Sequence, residues 1–384
     1  MVDAFFNAGG GRDMKLKDKF FEFNWGFLLL ICAIASMGIA MLYSVADGSF
    51  DPWASRQAIR FAAGLFILFL VAFVDIKVWM SLAYPAFAVA LALLVAVEFI
   101  GFRGMGAQRW INLGIIQLQP SELMKITLIL ALARYFHGLT LDQVSRLKYL
   151  VTPALMIGVP FYLTLRQPDL GTAMLIVVVG VTLLFMAGLA WRYFIVGGVA
   201  ALGAIPIAWG TLHEYQRQRV LTFLNPESDP LGSGYHILQS KIALGSGGVF
   251  GKGFMEGTQS HLNFLPEKHT DFIFTMLAEE LGLVGGLTLL GLYMMVLMFG
   301  ISVGIQTRNQ FGRLLAIGIT VNFFLYIFIN IAMVMGLLPV VGVPLPLVSY
   351  GGTAMLTLML GFGLLMSVYI HRNQEITRNP AAFW

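Results

Sequence analysis

The stretch LNFLPEKHTDFIFTMLAEELG, residues 262–282, gathers ionisable side chains at the mouth of an apolar segment. Glu267, Lys268, His269 and Asp271 precede that segment, and Glu279 and Glu280 follow about two helical turns later. A carboxylate at such a boundary is partly desolvated, which raises its pKa and makes it a better proton acceptor. Asp271 therefore suits a general base. Thr270 and Asp271 equally suit a helix start, where a hydroxyl caps and an acid complements the dipole. Capping alone leaves Glu267, Lys268 and His269 unexplained.

Other polar groups interrupt apolar sequence elsewhere. QPSELMK, residues 119–125, sets Glu122 and Lys125 three apart on one helix face, where pairing lowers the cost of burying either. That pair reads as a structural ion pair, with Lys125 alternatively facing a phosphate. In RQPDLGT, residues 166–172, Asp169 is placed to cap a helix from Leu170, beside Arg166, which holds the turn or binds an anion. The stretch from Glu214 to Ser260 carries Arg217, Arg219, Lys241 and Lys252, which suit phosphates, although a charge run is commonly a solvated face. Its GSGGVFGKG is not a phosphate loop: Ser246 stands where the first glycine belongs, and Gly253 follows Lys252 in place of Ser or Thr. Those glycines suit tight turns instead. With no HExxH, no Cys/His ligand set and no GxSxG, zinc and serine hydrolases are disfavoured. A hard divalent cation, Mg or Mn, held by Asp271, Glu267 or a lipid diphosphate is compatible with the sequence.

The elements that must position these groups are apolar spans. The 384 residues are 58% hydrophobic and 11% charged, with mean hydropathy +0.81, whereas soluble domains carry about a quarter charged residues. The pattern predicts an all-α integral membrane protein with ten transmembrane helices. They fall at 25–45, 59–74, 79–100, 120–136, 149–165, 171–190, 193–212, 272–304, 313–336 and 346–370, each near the ~20 residues a bilayer requires. The 272–304 span is longer than a straight crossing needs, so it tilts or begins outside the bilayer. One domain, 1–384, contains a long loop at 213–271 between helices 7 and 8. The basic N-terminus resembles a signal-peptide n-region, but no small-residue cleavage motif follows, and the first helix reads as retained. The single cysteine, Cys32, excludes an internal disulfide.

Charge sets the orientation. Arg12, Lys15, Lys17, Lys19, Lys77, Arg134, Arg146, Lys148, Arg192, Arg308, Arg313, Arg372 and Arg378 fall on the side of the termini. Only Arg56, Arg60, Arg103, Arg109 and Arg166 occupy the short loops opposite. Both termini are thus expected in the cytoplasm of a multi-pass protein, and the long loop outside. GLLPVVGVPLPLVSYGG, residues 336–352, cannot be regular helix with Pro339, Pro344 and Pro346. Its backbone must be buried in protein or line a cavity.

Taken together, these motifs resemble the SEDS family (shape, elongation, division and sporulation). The resemblance is carried by RWINLG (109–114), QPSELMK (119–125), QPDLGT (167–172), the stretch 218–253, GTQSHLNFLPEKHTDFIFTMLAEELG (257–282) and PLPLVSYGG (344–352), in order along nearly the whole chain. Within the family the 251–274 stretch is closer to the rod-elongation branch than to the division branch. The first 20 residues and the tail after His371 lie outside the match.

The resemblance implies a ten-helix fold in the bacterial cytoplasmic (inner) membrane and a peptidoglycan glycosyltransferase acting on lipid II at the periplasmic face. It implies a class B penicillin-binding protein as transpeptidase partner, alongside other elongation-complex proteins, and no nucleic acid. The family's essential aspartate is the Asp of HTDFIF, Asp271. Candidate substrate contacts are Arg109, Glu122, Lys125, Asp169, Arg217, Arg219, Lys252, His269, Glu280 and Ser349. A lipid II flippase would show a charged midplane path and often internal repeats, which are absent here. A non-catalytic scaffold of the elongation complex would tolerate loss of Asp271. Spans 193–212 and 272–304 are available for partner contacts.

Overall fold

The structure, a computed structural model, describes residues 15–104, 107–112, 114, 117–211, 214–225, 233–258 and 267–377. A short helix, α1 (Leu16–Glu22), precedes α2 (Trp25–Val45), α3 (Trp53–Ala72) and α4 (Ile76–Ile100). After three small strands come α5 (Pro120–His137), the single turn α6 (Leu141–Val144), α7 (Leu147–Arg166), α8 (Leu170–Met186) and α9 (Trp191–Thr211). The 213–271 region holds α10 (Glu214–Leu224) and α11 (Ser233–Ser246), and the chain continues through α12 (Ile273–Gln306), α13 (Gln310–Val334) and α14 (Gly352–Ile370).

Helices thus stand at all ten expected positions. Among the described residues, seven are long and apolar enough to cross a membrane. The other three are α5, which carries Glu122, Lys125 and Arg134, and the shorter apolar stretches in α8 and α9. Side-chain caps start several of them: Asn24 accepts from Phe27 N, Asp75 from Lys77 N and Asn309 from Gly312 N, while Pro120 opens α5. α5, α13 and α14 are the most buried spans, with α3 packed along α14 and α5 against α4 and α13.

The helical fold carries one addition, and three expectations need correction. Beside the helices, β1 (Phe102–Gly104), β2 (Ala107–Asn112) and β3 (Gln117–Leu118) form a small three-stranded antiparallel sheet in the order β1-β2-β3. The RWIN of RWINLG lies in β2, which periodicity over so few residues could not announce. The last helix begins at Gly352 rather than 346, because the proline-rich strap before it is non-helical.

The 272–304 span is not one continuous helix either. At Gly282 the backbone takes φ 66 and ψ −162 and breaks α12 into an inner segment and a long span. Gly247 and Gly251 of GSGGVFGKG pack here. A Cβ on Gly247 would lie 2.0 Å from Ala278 O, and one on Gly251 2.1 Å from Glu280 O. Leu283 N and Val284 N donate to Gly248 O and Val249 O across the break. Finally, neither Thr270 nor Asp271 caps α12. Its N-cap is Phe272 with no side-chain cap bond, and the Thr270 hydroxyl turns to Glu267 Oε2 at 2.8 Å.

Candidate functional site

The turn at 267–272 presents Asp271 just ahead of α12, against the strap at 343–350. Strap residues 345–349 are buried, and their backbone is satisfied by side chains from several helices. Tyr293 Oη donates to Pro346 O at 2.7 Å and Gln57 Nε2 to Ser349 O at 2.9 Å. Asn330 Nδ2 donates to Val343 O at 2.8 Å. This is the buried, non-helical backbone that the prolines required.

Asp271 keeps some accessible surface, yet its carboxyl is so enclosed that burial pushes its pKa up to about 6. Repulsion from Glu267 adds to the rise, and Arg219 opposes it. Among the described residues no hydrogen bond reaches the carboxylate, and its neighbour Gly342 leaves space beside Oδ2. Burial also lowers His269 and Lys268, so His269 is neutral at neutral pH. The His269 ring stacks on Trp53 at 4.7 Å and lies 6.0 Å from Tyr350, whose ring carries the Arg60 guanidinium at 4.5 Å. A carboxyl with a raised pKa and, among the described residues, no hydrogen bond is chemically a proton acceptor.

Arg219, on α10, donates to Val340 O at 3.0 Å and helps line an open cleft of about 380 Å³ with Arg109, Asp169 and Val341. Arg109, on β2, donates to the Gln167 and Pro168 carbonyls and faces Asp169 at 3.9 Å. Asp169 also accepts from Thr172 N as the cap of α8 and from Gln119 Nε2 at 3.1 Å. Asp271 does not line this cleft. Arg219 links the two, since its charge acts on the Asp271 carboxyl from the cleft wall.

Glu122 and Lys125 pair inside the bundle. Lys125 Nζ lies 2.7 Å from Glu122 Oε1 and also contacts the Tyr326 hydroxyl, which donates to Glu122 Oε2 at 2.5 Å. A second cavity, about 430 Å³, lies between this triad and the strap and includes Ser349 in its lining.

The remaining candidates are placed elsewhere by their contacts. Lys252 Nζ bonds Glu279 Oε1 at 2.6 Å and Thr258 Oγ1 at 2.7 Å. Glu280 accepts from Ser44 Oγ at 2.6 Å and Met255 N at 3.0 Å. Both hold the 247–258 loop to the break in α12. Arg217 donates to Trp209 O and Gly210 O, closing the C-terminal end of α9. Thus His269 lies in the Asp271 turn and Ser349 bonds it, the Arg219 charge acts on the Asp271 carboxyl, Arg109 and Asp169 share Arg219's cleft, and Lys252, Glu280 and Arg217 bond outside that group. Sequence reasoning missed Trp53, Gln57, Tyr326 and Asn330. For Gln57, Tyr326 and Asn330 the available signal is a polar residue inside an apolar span.

The fold and site define a multi-pass membrane protein whose carboxylate-bearing turn adjoins an arginine-lined cleft. The FtsW/RodA/SpoVE family model, described as cell cycle protein, matches residues 22–374, and the chain belongs to this SEDS family. The peptidoglycan glycosyltransferase MrdB of Escherichia coli strain K12 is 47% identical over 346 residues, 90% of this chain and 93% of that protein. MrdB of Helicobacter pylori is 36% identical, covering 83% of each. Among solved structures, a chain from a peptidoglycan synthase complex that coordinates polymerization and crosslinking is similar at TM-score 0.81 and 34% identity, covering 92% of this chain and 99% of that one. The crystal structure of Thermus thermophilus rod shape determining protein RodA matches at TM-score 0.70 and 30% identity, covering 92% and 98%.

Proposed function

We propose that this chain is a peptidoglycan glycosyltransferase that polymerises lipid II at the outer face of the bacterial inner membrane during rod-shaped elongation, with Asp271 as general base. The relatives' activity supports the reaction class. The observation that carries the site assignment is the Asp271 carboxyl, raised to about 6 and free of hydrogen bonds among the described residues.

The 4-hydroxyl of the acceptor's N-acetylglucosamine attacks C1 of the donor's N-acetylmuramic acid. The C1–O bond to the undecaprenyl diphosphate breaks, and the hydroxyl proton passes to Asp271. One displacement turns the α-linked diphosphate into a β-1,4 bond, so a single inversion suffices. Base assistance of this kind is worth ~10²–10⁴-fold. The departing diphosphate is met by positive charge, for which Arg219 and Arg109 in the adjoining cleft are the candidates. Both substrates carry lipid tails, which suits a site at a membrane boundary.

Glu267 and Asp271 are near enough for Glu267 to raise the Asp271 pKa. One carboxylate plus substrate phosphate oxygens matches a way in which Mg²⁺ is commonly held. Glu267 would be the protein anchor for such an ion, which would neutralise the diphosphate. Among the described residues no group of three or more His, Cys, Asp or Glu side chains could hold a metal by itself.

Ten crossings in a single domain, with both termini in the cytoplasm and the 213–271 loop outside, is the topology we adopt, on the distribution of Lys and Arg. A class B penicillin-binding protein is the proposed partner, because the similar synthase complex couples polymerization to crosslinking. The test is glycan synthesis from purified lipid II by the protein with that partner, comparing parent and Asp271→Asn, each with and without EDTA. Loss of polymer in a folded, partner-bound Asp271→Asn protein supports the base. Polymer at the parental rate would return the flippase and scaffold readings, and EDTA insensitivity would remove the cation.

A further inference from the structure

Three consecutive carbonyls in the Asp271 turn are each held by a different group. His269 O accepts from Tyr350 N at 2.9 Å, Thr270 O from Ser349 Oγ at 2.6 Å, and Asp271 O from Asn330 Nδ2 at 2.9 Å. Two of the donors belong to the strap. The third, Asn330, comes from the interior of α13, where it is wholly buried.

Asn330 is forked. Its amide nitrogen has two hydrogens and uses both, one on Asp271 O and one on Val343 O at 2.8 Å. Val343 follows Gly342, whose missing side chain is what leaves room beside Asp271 Oδ2. One planar amide therefore sets the spacing between the turn that carries the carboxylate and the strap that borders it. Ser349 adds a second stitch, since its Oγ also accepts from Leu345 N at 2.7 Å and so ties the strap to itself while it holds Thr270. With the carbonyls of 269, 270 and 271 fixed, the Cα–Cβ direction of Asp271 is fixed too.

We infer that Asn330, seconded by Ser349, is a positioning residue that aims the Asp271 carboxylate at the attacking hydroxyl. The inference rests on Asp271 being the base. It acts on turnover rather than on substrate affinity, because neither side chain is required to touch the sugar for the effect. A misplacement of about 1 Å costs roughly 100-fold in rate when reacting groups must meet in one geometry.

The experiment measures kcat, KM for lipid II and the pH profile of polymerisation, by the full chain with its partner, for Asn330→Leu, Ser349→Ala, Ser349→Thr and Asp271→Asn. Asn330→Leu keeps the branched heavy-atom skeleton, though with more bulk, and removes both donors, and it is expected to lower kcat by about 10- to 100-fold with KM nearly unchanged. Its acid limb should also move to lower pH. A loosened turn lets water reach a carboxylate whose charged surroundings, Glu267, Lys268 and His269 on the turn and Arg219 on α10, otherwise stay the same. Ser349→Ala should show the same changes to a smaller degree, and Ser349→Thr, which keeps the hydroxyl, should restore them. Parental kcat and pH profile in folded Asn330→Leu overturns the inference. So does a lower kcat with an unmoved acid limb, which marks general destabilisation. If Asn330→Leu does not fold, the Ser349 pair decides by the same readings. Asp271→Asn separates the two claims: if it turns over at the parental rate, the base assignment itself has failed, whereas an inactive Asp271→Asn beside a fully active Asn330→Leu removes only the positioning role.

Discussion

The Lys125 ammonium lies 2.7 Å from the Glu122 carboxylate, and the Tyr326 hydroxyl from α13 closes the triangle. The Lys125 side chain is 1% exposed and that of Glu122 7%, so α5 and α13 are joined by a charge pair with almost no water. The partner from another helix is what makes this more than an i,i+3 surface pair.

Removing one member should therefore cost far more than removing the charge from both. Lys125→Met strands a buried carboxylate and is expected to destabilise the protein by about 3–5 kcal/mol. The double variant Glu122→Gln/Lys125→Met should recover a substantial part of that loss. Thermal unfolding in detergent checks this, and equal stabilities for the single and double variants would refute the buried-pair account.

Asp271 should leave its mark on the pH dependence of both rate and stability. Its pKa rises from the ordinary 3.8 to about 6, so the base is half protonated near pH 6 and polymerisation should fall below that value. For stability the sign is opposite to that of a salt-bridged acid. The folded state favours the protonated form, so the group's contribution is full below its unfolded pKa and is lost as pH rises through about 6. Asp271→Asn should then be more stable than the parent at pH 8, by at most about 3 kcal/mol, and equal to it at pH 4. Melting curves at the two pH values decide it. No gain at pH 8 means that the carboxyl is not raised.

Gly282 should be irreplaceable, for a backbone reason. Its φ of 66 suits glycine, and an added Cβ would lie 2.3 Å from Gly251 N and 2.6 Å from Val249 O. The strained φ alone costs about 1–3 kcal/mol, before the clash with the 247–251 backbone is counted. Gly282→Ala should lower the melting temperature sharply. Gly197→Ala on α9, where nothing lies within 4 Å, should be neutral or stabilising, since alanine favours a helix by about 1 kcal/mol over glycine. Similar melting temperatures for the two variants would show that the break in α12 is not held as described.

How much was legible in advance differed by feature. Hydrophobic runs placed ten helices to within several residues, and the prolines of the 336–352 segment announced a buried, irregular strap. The Glu122–Lys125 pair and the Asp169 cap followed from spacing, because both depend on neighbours three residues away. The break at Gly282 was hidden because the residues on both sides are apolar and helix-forming, and only the approach of Gly247 and Gly251 demands it. Lys252 and Glu280 looked like ligands for an anion site because sequence shows that they are charged but not what they face.

By itself, then, the sequence determined what local chemistry can specify: apolar spans, their inside-outside charge bias, the caps, and a carboxylate at the edge of a span. The tertiary structure decided which of these groups meet. Asn330 reaches Asp271 across 59 residues of chain and Ser349 reaches Thr270 across 79. No periodicity records such pairings. They exist because buried carbonyls must find donors wherever packing brings one.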